Sequence, residues 1–159
     1  MSKWLGPRGE GYVVIQLILF ALIAFVPGKF NPSSQWPSPL AEIAVILGFL
    51  LGVYGVIMIS LGLLNLGRNL TAVPHPKDDA FLVQGGAYGL VRHPIYSGII
   101  IGAFGWALFF NGEITLLLAV ILLLFFDWKT RREERMLAAK FPAYAAYQQR
   151  VRKLIPYIY

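Results

Sequence analysis

The sequence contains no cysteine, which excludes a disulfide framework, thiolate-ligated zinc and a thiol nucleophile. Histidine is nearly absent too: His75 and His93 are the only two, too few for a metal centre built on imidazole, and no metal site is expected. Charge is equally scarce. Asp, Glu, Lys and Arg make up 14% of the chain, where a soluble domain carries about a quarter. That scarcity excludes a disordered chain and argues against nucleic-acid binding, although the formal net charge is +6. What fills the 159 residues instead is hydrophobic side chains, 57% of the total. A single soluble core does not need so many; a bilayer does. The chain therefore reads as one membrane domain, residues 1–159, whose basic excess reflects topology.

Four apolar stretches, 12–26, 40–66, 94–110 and 114–126, are predicted to be transmembrane helices. The first, third and fourth fall short of the roughly 20 residues a bilayer core requires, so flanking residues are expected to extend them. The first ends in Phe25-Val26-Pro27-Gly28 without a small-x-small cleavage pattern, so it is read as a retained anchor rather than a signal peptide. Lys and Arg are kept on the cytoplasmic side of short loops, and with the N-terminus inside every basic residue except Lys29 falls on that side. The expected fold is thus an all-α integral membrane protein with about four transmembrane helices, both termini cytoplasmic, and a C-terminal amphipathic cytoplasmic helix; in a prokaryote the membrane is the inner one. Gly48, Gly52 and Gly55, and likewise Gly98, Gly102 and Gly105, recur at i, i+4 and i+7. This suits either a close helix–helix seam or the ordinary glycine content of membrane helices. Asn111-Gly112-Glu113 allows only a tight turn, and Trp4, Trp36 and Trp128 lie near span ends, where interfacial tryptophan belongs.

Polar chemistry is confined to two cytoplasmic segments, 67–93 and 127–159. In the second, Leu137, Phe141, Tyr144 and either Tyr147 or Gln148 fall at helical spacing opposite Arg and Lys, an amphipathic helix lying on the membrane or over the bundle, with Pro142 kinking or dividing it. In the first, Gly85-Gly86-Ala87-Tyr88-Gly89-Leu90-Val91-Arg92-His93-Pro94-Ile95-Tyr96-Ser97-Gly98 leads into the third span. Pro94 suits a first helical turn, and the positive end of that helix with Arg92 and His93 forms either a ligand site or a lipid-headgroup anchor. No strand precedes the glycines, which excludes a dinucleotide-binding loop. Glu133 and Glu134 are either a surface pair among basic residues or carboxylates folded back onto Arg92 and His93. His75, between two prolines, reads as a stiff loop residue, with lining of the site as the alternative. Asn69-Leu70-Thr71 has the glycosylation pattern but lies on the cytoplasmic side.

Leu82-Val83 with Gly86-x-Tyr88, Arg92-His93-Pro94-x-Tyr96-x-Gly98, and after one helical hairpin Glu133-Glu134-x-x-Leu137, Phe141-x-x-Tyr144-x-x-Tyr147 and Ile155-Pro156-Tyr157 resemble the isoprenylcysteine carboxyl methyltransferase family. Related phospholipid methyltransferases share the pattern, and the short chain resembles the minimal prokaryotic members. The resemblance implies an integral membrane methyltransferase that uses S-adenosylmethionine in a cytoplasm-facing pocket and takes a lipophilic acceptor from the bilayer. It implies cofactor contacts at Leu82, Val83, Tyr88, His93, Pro94, Ile95, Tyr96 and Glu133, and catalytic duty at Arg92, His93 and Glu134. Lys129 stands where the family has an arginine that helps to hold the substrate carboxylate, so a point charge replaces a bidentate fork. The acceptor can then be a prenylcysteine carboxylate, a phospholipid amine or a thiol. Two other readings stand beside it: a membrane reductase of related fold using NADPH, and a non-enzymatic membrane scaffold or channel.

Overall fold

The computed structural model of the chain describes residues 9–30, 36–71 and 78–159. Trp4 and His75, and the basic residues Lys3, Arg8 and Lys77, lie outside the described residues. Five helices carry the fold: α1 (Glu10–Phe30), α2 (Leu40–Leu66), α3 (Pro94–Phe109), α4 (Glu113–Lys140) and α5 (Tyr144–Arg150). Short 3-10 turns at Gly67–Asn69 and Gly86–Gly89 flank the long connection between α2 and α3. Among the described residues there is no strand, only one isolated parallel bridge between Val91 and Arg152.

α2 and α3 are pressed together on glycine. A Cβ added at Gly55 would stand 2.7 Å from the Gly98 carbonyl oxygen, and one at Gly98 would stand 2.6 Å from the Gly55 carbonyl oxygen. Seven residues earlier on α2 and seven later on α3, Gly48 and Gly105 repeat the contact, with the added atoms 2.6 Å and 2.7 Å from each other's carbonyl oxygens. Gly62 extends the line onto Ile95 and Pro94. Gly52 and Gly102, by contrast, would meet nothing. The seam is real, and of the glycines at i, i+4 and i+7 it is the two seven apart on each helix whose added Cβ would strike the opposing carbonyls. Such contact lets two apolar helices gain dispersion energy at backbone distance without a hydrophobic driving force between them.

Asn111 adopts φ 49°, which asparagine tolerates, and the turn it makes sends α4 back along α3. α4 and α1 close the other side through Tyr12, whose ring lies 4.7 Å from Trp128 and 6.3 Å from Phe125. Leu17, Phe25, Phe49, Val56, Leu64, Leu117 and Leu124 point outward and are exposed. A belt of that size would aggregate in water and suits a lipid surround. By length and composition, one described helix, Leu40–Asn69, is sufficient to cross a membrane; α1 and α3 are apolar but shorter. α4 is apolar only through its first half and then continues unbroken for 14 residues beyond Phe126, because Arg, Glu, Leu, Ala and Lys favour helix as strongly as the apolar part does. The amphipathic tail is divided at Pro142, one of the two outcomes expected there; residues 127–140 continue α4 rather than forming a separate helix, and α5 follows. Its apolar side lies over the bundle, where Tyr144 and Tyr147 are buried.

Gly98→Ala is expected to cost ~1–3 kcal/mol by overpacking against backbone that has nowhere to move, whereas Gly52→Ala should leave stability unchanged or raise it slightly. Thermal unfolding of the two variants in detergent checks this; equal shifts would contradict the seam.

Candidate active site

One cavity gathers side chains from every helix at the end of the bundle where the polar segments meet. α4 contributes Lys129, Glu133 and Leu137, three residues at i, i+4 and i+8 that share a face. The start of α3 contributes Arg92, His93, Ile95, Tyr96 and Ile99, and the connection before it Phe81, Leu82, Val83 and Tyr88. Phe141, Tyr144 and Tyr147 roof it, Leu66, Asn69, Leu70 and Thr71 border it from the end of α2, and Gln16 enters from α1.

His93 is the residue just before α3 and is buried. Its Nε2 lies 3.2 Å from Glu134 Oε1 and its Nδ1 lies 4.0 Å from Glu133 Oε1, so the imidazole stands between the two carboxylates. Its ring stacks on Tyr96 at 5.7 Å, and Tyr96 stacks on Phe126 at 4.5 Å. Tyr96 donates its hydroxyl hydrogen to Glu133 Oε2 at 3.2 Å, which aims that carboxylate along the cavity wall. Arg92 donates Nε–H to Glu134 Oε1 at 2.7 Å and Nη1–H to the carbonyls of Gln148 and Val151 at the end of α5. Glu134 also accepts from Gln148 Nε2 at 3.2 Å. Burial alone would raise the Glu134 carboxyl, but the hydrogen bonds and charges of His93 and Arg92 outweigh it and hold the carboxyl down at about 2. Burial foremost, with the nearby carboxylates, raises the phenols of Tyr88 and Tyr144 above their ordinary range, so both stay neutral donors.

Lys129 is 1% exposed. Its ammonium donates to Gln16 Oε1 at 2.7 Å and sits 4.9 Å above the centre of the Tyr96 ring. It therefore points into the bundle and does not snorkel to the phosphate layer. The cavity thus sets the Lys129 ammonium a helical turn before the Glu133 carboxylate, between apolar and aromatic walls.

Of the residues singled out from the sequence, Leu82, Val83, Tyr88, Arg92, His93, Ile95, Tyr96, Lys129 and Glu133 border the cavity. Pro94 and Glu134 do not. Pro94 packs behind the wall toward Gly62, and Glu134 lies behind His93 beside a shallow cleft formed with Trp128, Arg131 and Arg135. Arg92 borders the cavity, but its guanidinium is committed to Glu134 and the end of α5. Sequence reasoning missed Gln16 and Asn69. Gln16 is the one amide in the first apolar stretch, which is the signal that would have found it; Asn69 was considered only for glycosylation.

Residues 43–143 match the family model described as phospholipid methyltransferase. The chain is 32% identical over 116 residues to a probable protein-S-isoprenylcysteine O-methyltransferase of Oryza sativa, across 70% of this chain and 61% of that protein. It is 28% identical over 141 residues to the cobalt-zinc-cadmium resistance protein CzcN of Cupriavidus metallidurans, across 88% of this chain and 60% of that protein. Among solved structures it superposes on the eukaryotic intramembrane Ras methyltransferase, isoprenylcysteine carboxyl methyltransferase, with a TM-score of 0.68 and 24% identity, over 95% of this chain and 54% of the other. That likeness is one of fold. The chain spans about three-fifths of the length of these two relatives.

The folded Glu134 carboxyl is more acidic than an unfolded one, so its ionisation stabilises the fold above the ordinary carboxylate range, and this contribution fades as pH falls from about 4.5 toward about 2. Between pH 5 and pH 3 wild-type protein in detergent should lose on the order of 2 kcal/mol that Glu134→Gln does not lose. Parallel pH profiles of the two melting temperatures would contradict it.

Proposed function

The chain belongs to the phospholipid methyltransferase family, and from that premise we propose that it is an integral membrane enzyme that transfers a methyl group from S-adenosylmethionine to a lipophilic acceptor at the cytoplasmic face. In this reading the stretches 12–26, 40–66, 94–110 and 114–126 cross the bilayer with both termini cytoplasmic, and 67–93 and 127–159 build the site. The observation that carries it is the cavity itself: two motifs separated by a helical hairpin deliver Tyr88, His93, Tyr96 and Glu133 to one wall.

The donor set suits a cationic, amphipathic cofactor. Glu133 offers a carboxylate to an ammonium or sulfonium, Tyr88 and Tyr96 offer ring faces, Leu82 and Val83 offer apolar contact, and the buried Tyr144 hydroxyl has no hydrogen-bond partner among the described residues. Bound there, S-adenosylmethionine would supply a methyl group on a sulfonium that is already its own leaving group. The protein's part is to orient and to exclude water, worth several kcal/mol without any proton transfer for a carboxylate or thiolate acceptor. For a neutral amine a base is needed. Glu134 is too acidic for it; His93, whose ring nitrogens lie 3.2 Å from Glu134 Oε1 and 4.0 Å from Glu133 Oε1, is the side chain placed for it. Lys129, in the apolar reach of the cavity beside Gln16, is where an anionic group of the acceptor would be met. A nicotinamide cofactor is less suited, since its phosphates would call on Arg92, whose guanidinium is already committed to Glu134, and would leave Lys129 to meet them alone. A scaffold or channel gives no reason for the cluster at all.

Purified protein in detergent should bind S-adenosylhomocysteine in calorimetry. Glu133→Gln should weaken that binding about tenfold or more, the loss of a charged hydrogen bond worth ~1.5–3 kcal/mol. No heat of binding from folded wild-type protein would overturn the reading.

A further inference from the structure

The wall of the cavity that carries Leu82 and Val83 is irregular chain. Residues 80–84 belong to no helix or strand, and an unsupported extended segment samples many conformations that binding would have to freeze out. Two amides from the end of α2 supply the support. Asn69 donates Nδ2–H to the Phe81 carbonyl at 3.1 Å and accepts the Phe81 N–H on Oδ1 at 3.2 Å, so one side chain satisfies both backbone groups of one residue, as a neighbouring strand would. Asn65 Oδ1 accepts the Ala87 N–H at 2.8 Å. Asn65 is fitted to its place: Gly86 has φ +60°, and a Cβ there would stand 2.2 Å from Asn65 Oδ1. Only glycine allows that turn with the amide beneath it. Leu82 and Val83 run between the two anchors, and Tyr88 follows the second. Asn69 itself borders the cavity, but both ends of its amide are held by Phe81, so it acts through the backbone.

We propose that Asn65 and Asn69 are positioning residues that hold the segment from Phe81 to Ala87 in its ligand-ready form before anything binds, and so set the affinity of the cavity for its cofactor. The proposal rests on the methyltransferase reading for the identity of that cofactor. An ordered wall spares the ligand the cost of ordering it, and the two amides do this differently. Asn65 uses its oxygen, which an aspartate also has. Asn69 uses oxygen and nitrogen together, and an aspartate there would set a carboxylate oxygen against the Phe81 carbonyl.

The test is calorimetry of S-adenosylhomocysteine with the full chain in detergent, at a temperature where each variant is folded, beside each variant's melting temperature. Asn65→Ala and Asn69→Ala should each raise Kd about fivefold or more, the size of one net hydrogen bond. Asn65→Asp should restore near wild-type Kd and Asn69→Asp should not. Hydrogen exchange on the wild-type protein requires no variant: peptides covering Phe81 and Ala87 should exchange slowly without ligand and change little when it is added. Unchanged Kd in both alanine variants, aspartate failing equally at both positions, or fast exchange that slows only with ligand would each overturn the proposal. Absence of binding by the wild type would instead overturn the cofactor reading and this inference with it.

Discussion

Arg92 is a cation with almost no access to water, its side chain 10% exposed, and everything at the polar end of the bundle is arranged to satisfy it. Glu134 supplies the counter-charge from α4, and the carbonyls of Gln148 and Val151 supply the end of α5. The backbone N–H of Arg92 donates to the Arg152 carbonyl at 2.7 Å, which draws the C-terminal segment alongside the start of α3. A buried ion pair is costly unless further hydrogen bonds support it; here Arg92 Nη1 donates to two carbonyls and Glu134 accepts from Gln148, which requires α4, α5 and the start of α3 to stand in one arrangement. His93 inherits its position from that arrangement, since its ring nitrogen shares the Glu134 oxygen. Glu134 thus serves the site from behind, Arg92 borders it with its guanidinium held by Glu134 and the end of α5, and His93, Tyr96 and Glu133 line it.

The apolar part of the molecule obeys a different constraint. In lipid there is little hydrophobic gain from pairing two apolar helices, so shape must do what solvent does elsewhere. The glycine seam brings α2 and α3 to backbone contact, and the rigid pair then carries the two ends of the connection that walls the cavity. α4 serves both environments, packing against α3 through its apolar half and presenting Lys129 and Glu133 from the half that follows. A second cation–carboxylate cluster secures this helix: Asp127 accepts from Lys153 Nζ at 2.6 Å and from the Tyr159 hydroxyl at 2.6 Å, tying the last residues to α4.

Much of this was legible because apolar runs and breaks are local properties. The second stretch and α2 share the same bounds, 40–66, and Pro94 opens α3 because its missing N–H costs nothing there. The motif residues reach one cavity, but which of them face it is a matter of helix phase and crossing that spacing alone does not carry. Pro94 and Glu134 are neighbours in sequence to lining residues and point elsewhere. Gly52 and Gly102 lend their backbones to the seam but have open space where a Cβ would stand, while a Cβ on Gly62 would meet Ile95 and Pro94. Gln16 joins the site from far along the chain, through the packing of α1 on α4, marked in the sequence only as the one amide of its apolar stretch, and Asn69 through a loop closure that leaves no trace in local sequence.

The central claim is that this cavity delivers a methyl group to a molecule arriving from the bilayer. The most direct measurement is to incubate purified protein with a membrane lipid extract and S-adenosylmethionine bearing a deuterated methyl group, and to follow the lipid fraction by mass spectrometry. The account predicts that a lipophilic species gains the labelled methyl with wild-type protein and fails to gain it with Glu133→Gln. A lipid fraction left unlabelled by folded protein that binds the cofactor, or equal labelling by both proteins, would contradict it.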